Sequence, residues 1–196
     1  MRLVTEPASP APSGRRRFGD DRALGMALFV FTEVMLFAGF ISAFVIVRES
    51  APAGAWPPPG QPQLPLARTA INTALLLLSG VSLSVAGRRF KASAGAAAPW
   101  MGAALALGLA FVGLQGMEWS ALLGQGLTLT SSQMGSFFYV IVGAHAVHAL
   151  AAILALGLAW RALLARRLTQ GRLTAVSMFW YFVVLVWPVI WWKVYR

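Results

Sequence analysis

Few side chains in this sequence can do chemistry, and most of them lie inside long apolar runs. Glu33 sits about ten residues into the run that starts at Ala23, so about 15 Å deep if that run is a helix rising 1.5 Å per residue. An ionised carboxylate at that depth in lipid costs about 2.5 kcal/mol or more, so the group must be protonated, paired or set in a wet cavity. Two roles are open to it: a neutral acid that hydrogen-bonds a neighbouring helix, or a relay for protons. His145 and His148 are the only histidines, and three-residue spacing puts them about 60° apart on one helical face. With Glu33 or Glu118 as a third ligand they could hold a metal ion. They cannot grip a haem between them, because two ligands on one face cannot reach a porphyrin from opposite sides. The plainer reading is a polar cluster joining two helices. His148 lies about 18 Å from the inner end of its own run, close to the depth of Glu33, so Glu33 is predicted to meet His145 or His148. Gln115 and Glu118 face one another at helical spacing, and Glu118-Trp119 nears an interface where a carboxylate is tolerated. Asn72, with Ser79, Ser82 and Ser84, reads as interhelical hydrogen-bonding glue. No set of residues is assigned as catalytic, cofactor-binding or metal-ligating.

The elements that must position these groups are set by composition. Only 11% of the 196 residues are charged and 58% are hydrophobic, against about 25% charged in a soluble domain. Mean hydropathy is +0.69. Five apolar runs are long enough to cross a hydrocarbon layer of about 30 Å: roughly Ala23–Val47, Ala67–Ala86, Pro99–Leu123, Gly135–Trp160 and Ala175–Tyr195. An open sheet would leave unpaired amides in lipid, and the runs lack the alternation of barrel strands, so all five are helices. There is no cysteine, which removes disulfides, thiolate chemistry and iron–sulfur clusters.

The net charge of +10 is parcelled out between the runs instead of forming one stripe, which reads as topology signalling and not as a nucleic-acid surface. Twelve Lys and Arg fall in the N-terminal tail and in the segments between helices two and three and between four and five, against four on the other side. That bias puts the N-terminus in the cytoplasm and the C-terminus outside. Residues 1–22, rich in Pro, Ser, Gly and Arg with no apolar core, read as a disordered cytoplasmic tail, and residues 23–196 as the five-helix transmembrane domain. The Glu49–Pro65 loop, with Trp56-Pro57-Pro58-Pro59, is too proline-rich for a helix. Trp187, Trp191, Trp192 and Tyr195 read as an aromatic anchor at the outer interface, and Pro188 as a kink in the last turns of helix five. Small residues at four-residue spacing (Gly39 and Ala43, Gly102 and Ala106, Ala151 with Ala155 and Ala159) point to a close-packed bundle. The fold class is therefore an all-α membrane protein, a five-transmembrane-helix bundle.

Several runs together resemble the subunit III family of haem-copper oxidases. The run from Gly25 to Phe37, with Thr32-Glu33, is similar to that family's glutamate-bearing helix. Trp56-Pro57-Pro58, Leu64-Pro65-Leu66, Asn72-Thr73 and Ser79-Gly80 resemble the segment that follows it. Gln115 with Glu118-Trp119 looks like the family's glutamine and glutamate–aromatic pair, and Gly135-Ser136-Phe137-Phe138 with His145-Ala146-Val147-His148 like its Gly-Ser-x-Phe-Phe and His-x-x-His signature. Trp180, Phe182, Val183 and Trp187 echo the final helix. The resemblance covers residues 20–196 in one register, in a form like the shorter five-helix bacterial members. Tyr181 and Val184 stand where the family usually has histidine and aspartate, and Ala146 where it has glycine, so the outer half loses an acid of the family's polar network.

That resemblance implies an accessory subunit of a terminal oxidase, most simply a cytochrome c oxidase, with no redox centre of its own. Haem and copper are then expected in partner subunits, with subunit I as the main contact, subunit II beside it, bound phospholipid, and a respiratory supercomplex as a further assembly. It implies a multi-pass protein of the bacterial inner membrane that sustains proton uptake and steadies the catalytic subunit, with Glu33 as the family's carbodiimide-reactive carboxylate. The same fold could serve a quinol oxidase or a nitric oxide reductase. A small transporter would need helices broken around a midplane site, and a metal-dependent membrane enzyme would need more ligands than two histidines supply.

Overall fold

The computed structural model describes residues 18–52, 55–62 and 64–195, with side chains from residue 21 onward. Five helices follow one another: α1 (Phe18–Glu49), α2 (Leu66–Phe90), α3 (Ala94–Gly124), α4 (Gln133–Leu164) and α5 (Gln170–Ile190), which runs on into a π-helical turn, Trp191–Tyr195. All five are long and apolar enough to cross a membrane, and no strand occurs among the described residues.

The apolar runs understate most of these helices because polar residues at their ends are helical too. Ser93 Oγ accepts from Ala96 N at 3.1 Å, Ser132 Oγ from Gly135 N at 3.0 Å and Thr169 Oγ1 from Arg172 N at 3.3 Å. Each satisfies an amide that the first turn leaves without a carbonyl. Arg88, Arg89 and Arg161 occupy last turns, where the negative end of the helix dipole favours a cation. Helix α1 begins at Phe18, so its first turn enters the segment expected to be a tail; residues 1–17 lie outside the described residues.

Helix α5 is the centre of the bundle, in contact with α1, α2 and α4, while α2 pairs with α3 and α3 with α4. Its Trp180, Val183, Trp187 and Ile190 are buried. The expected helix approach at small residues takes another form. Gly108 is a notch for Trp180, whose Cη2 would lie 2.5 Å from any Cβ added there, and Gly102 is a notch for Trp160, at 3.3 Å from Cζ2. Gly39 and Ala43 instead face outward, with nothing within 4 Å of a Cβ at Gly39.

The aromatic anchor also divides. Trp187 and Tyr195 are buried at 0% and 6% exposure, and only Trp192 is well exposed, at 48%. Pro188 lacks the N–H that would bond the carbonyl of Val184, and the helix widens into the π-turn three residues later. The wider turn swings Tyr195 inward. Val184 packs against Gly80, its Cγ1 3.1 Å from where a Cβ would stand.

Candidate functional site

Glu33 is the sixteenth residue of the 32-residue α1 and His148 the sixteenth of the 32-residue α4, so their side chains reach the same depth. Glu33 Oε2 lies 2.9 Å from His148 Nε2, each side chain 16% exposed. The other ring nitrogen fixes the chemistry. His148 Nδ1 is 2.7 Å from the carbonyl of Ala144, and a carbonyl only accepts, so Nδ1 carries a hydrogen. A neutral imidazole then presents a bare Nε2, and the hydrogen between it and Glu33 must come from the carboxylic acid. Otherwise the ring is doubly protonated and Glu33 is a carboxylate. Either way Glu33 and His148 hold one exchangeable proton between them and carry no net charge, the condition under which lipid tolerates such groups. Phe37, Phe179 and Phe182 surround the imidazole, at 5.5, 6.3 and 5.8 Å between ring centroids.

His145, one turn toward the other end of α4, goes elsewhere. It is 2% exposed, tilted over Trp187 at 4.9 Å, with Phe37 and Phe111 edge-on at 6.3 Å, and its Nε2 has no hydrogen-bond partner among the described residues. The 60° between the two histidines is enough to send His148 to α1 and His145 to α5. Among the described residues no three His, Cys, Asp or Glu side chains gather as a metal site requires.

A second polar cluster joins α2, α3 and the π-turn near the end of the bundle that carries the α3–α4 loop. Gln115 Nε2 donates to Glu118 Oε2 at 3.2 Å and to Tyr195 Oη at 3.0 Å, and Gln115 Oε1 accepts from Asn72 Nδ2 at 3.0 Å. Asn72 Nδ2 also donates to the carbonyl of Phe111 at 3.2 Å, and Thr69 Oγ1 to Glu118 Oε2 at 3.0 Å. So Asn72, Gln115 and Glu118 come together, with Glu33 and His148 as a separate pair. The cluster does not depend on the acid that the resemblance implies at Val184, because α2, α3 and Tyr195 build it. Thr69, Thr73 and Tyr195 were not anticipated. Thr69 shares a helical face with Asn72, three residues on, which is a readable signal; Thr73, which accepts from Trp187 Nε1 at 2.9 Å, depends on a partner far along the chain.

Fold and site together define a class: a multi-pass helical membrane protein with one acid–imidazole pair midway along two of its helices and a hydrogen-bonded polar cluster toward one end. The sequence profile of the family described as cytochrome c oxidase subunit III matches residues 18–196. The chain is 33% identical to the cytochrome c oxidase subunit 3 of Bacillus subtilis over 201 aligned positions, covering 97% of this chain and 92% of the relative. It is 31% identical to that of Synechocystis sp., covering 93% and 78%, and 29% identical to the cytochrome bo(3) ubiquinol oxidase subunit 3 of Pseudomonas aeruginosa, covering 90% and 85%. The chain belongs to the cytochrome c oxidase subunit III family. Members of that family are accessory subunits of haem-copper oxidases, whose redox cofactors sit in other subunits of the complex.

Proposed function

We propose that this chain stands beside the catalytic subunit I of a bacterial cytochrome c oxidase, and that its Glu33–His148 pair sustains proton uptake and the lifetime of that subunit during turnover. The observation that carries the reading is the pair itself: Glu33 Oε2 and His148 Nε2 at 2.9 Å, at the midpoint of two helices inside an aromatic cage. An acid and an imidazole that share a proton can accept or release one with little nuclear rearrangement, as a relay requires. Subunit I is the main partner, subunit II the second, and membrane phospholipids fill the remaining surface; a supercomplex is a further assembly. The positive-inside bias supports a cytoplasmic N-terminus, with the basic segment 1–22 on that side, and bacterial relatives support the inner membrane. Asn72, Gln115 and Glu118 serve as interhelical hydrogen-bonding groups. A quinol oxidase is the second reading, favoured by the Pseudomonas aeruginosa relative, which is named for a ubiquinol oxidase.

Purification in mild detergent through a tag on this chain tests the reading. The expected result is an oxidase haem spectrum with subunits I and II co-purifying, and a dinuclear copper site in subunit II if cytochrome c is the donor. A subunit II without that copper turns the reading to quinol, and a preparation without haem overturns both.

A further inference from the structure

A cavity of about 150 Å³ lies between α3 and α4, with Phe111, Gln115, Trp119, Val142, His145 and Trp187 in its wall. It meets the outer surface of the bundle at Gly116 and Leu150, the two exposed residues of the lining. A Cβ at Gly116 would find nothing within 4 Å, so the rim is open on that side. Most of the wall is aliphatic or aromatic carbon. Its polar side chains are Gln115, Trp119 and His145, and the first two are engaged. The Gln115 amide is taken by Asn72, Glu118 and Tyr195, and the Trp119 indole N–H faces the Tyr195 hydroxyl short of hydrogen-bond geometry. His145 is 2% exposed, and its Nε2 is left with no hydrogen-bond partner among the described residues.

A buried polar atom without a partner calls for an explanation, and here it borders an unfilled space. A buried charge needs a partner, and the wall carries no charged side chain, so neither the ring nor its ligand is an ion there. A lone water is a poor occupant, because it needs roughly two to four polar partners and the wall leaves one nitrogen unengaged. An apolar cavity of about this volume accepts a benzene-sized molecule. We propose that the α3–α4 cavity binds a small un-ionised phenol dissolved in the membrane, its ring among Phe111, Val142 and Trp187 and its hydroxyl on His145 Nε2. A hydroxyl both donates and accepts, so it answers Nε2 in either tautomer, whereas an ether only accepts and a hydrocarbon does neither. A phenol, with a pKa of about 10, keeps its proton at neutral pH, and a carboxylic acid of the same size does not. The inference rests on the bundle alone and holds whichever oxidase the chain serves.

The test uses the intact complex in lipid vesicles, photolabelled with an azidophenol or with azidobenzene at equal membrane concentration, with the labelled peptides then mapped. Labelling of residues 111–119 and 142–150 should saturate and should fall when excess phenol is added. It should be about five-fold stronger with the azidophenol, the effect of one hydrogen bond made in a buried site. His145→Phe keeps a ring against Trp187 and should bring the azidophenol signal down to that of azidobenzene. Ala146→Leu fills the cavity from its own wall and should suppress both signals. Equal labelling by the two probes in the unaltered complex overturns the proposal. So does a phenol preference that survives in His145→Phe, a signal unchanged in Ala146→Leu, or labelling of these stretches that never saturates. Haem content and subunit composition of the same preparations report separately on the oxidase reading.

Discussion

Replacing Glu33 separates two roles that a single substitution would confound. In Glu33→Gln the side-chain amide can donate to His148 Nε2 while Nδ1 keeps its bond to the Ala144 carbonyl, so the contact between α1 and α4 survives and only the exchangeable proton is lost. In Glu33→Leu the volume is nearly kept but Nε2 faces an apolar cage with no partner. Hydrogen bonds between membrane helices average about 0.6 kcal/mol and reach about 1.7 kcal/mol, so Leu should destabilise the seating of α1 by about that range and Gln by close to nothing. Thermal dissociation of the assembled oxidase measures the first quantity. Turnover number before inactivation and the rate of proton uptake measure the second. Both variants should keep the unaltered haem spectrum, and both should inactivate sooner or take up protons more slowly. If Glu33→Gln matches the unaltered oxidase in turnover lifetime and proton kinetics, the pair is a packing contact and the relay argument fails.

Other substitutions have equally definite outcomes. Gly108→Ala sets a methyl group 2.5 Å from Trp180 Cη2, an overpacking that costs about 1–3 kcal/mol, whereas Gly113→Ala, with nothing within 4 Å, should be neutral or stabilising; thermal unfolding of the complex compares them. Gln115→Leu removes the two hydrogen bonds that join α3 to α2 and to the π-turn, besides one within α3, so about 1 kcal/mol at the average membrane value, read as a lower dissociation temperature with turnover lifetime unchanged. His145→Phe should be neutral or stabilising, because it removes a nitrogen with no partner and keeps a ring against Trp187, while His148→Phe should reproduce Glu33→Leu.

Five helices were legible because lipid leaves so few alternatives for an apolar run of 20 residues or more. The meeting of Glu33 with a histidine on α4 was legible for a related reason: the rise per residue is fixed, so sequence position measures depth. Which histidine it would be was not. A 60° difference on one helix decides the partner only when the neighbouring helices are placed, and α5 takes the face that carries His145. Helix ends were hidden behind polar residues, since Ser93, Ser132 and Thr169 are caps whose value lies in one backbone amide each. Small residues signalled close approach without saying what approaches; at Gly102 and Gly108 it is an indole, and at Gly39 nothing among the described residues. Trp187 looked like an interfacial anchor because composition near a helix end cannot show that Trp187 faces inward while Leu185 and Val189 beside it face out. Tyr195 was obscured by the π-turn after Pro188, which changes the phase of every residue beyond it.

The central claim is that this chain seats no electron carrier and works beside subunits that do. Stripping it selectively from the purified oxidase, then assaying haem, copper and iron in both fractions, addresses that claim directly. All of the haem and metal should remain with the catalytic subunits, whose spectrum stays intact while their lifetime in turnover shortens. A released chain that carries haem, copper or iron in stoichiometric amount would contradict it.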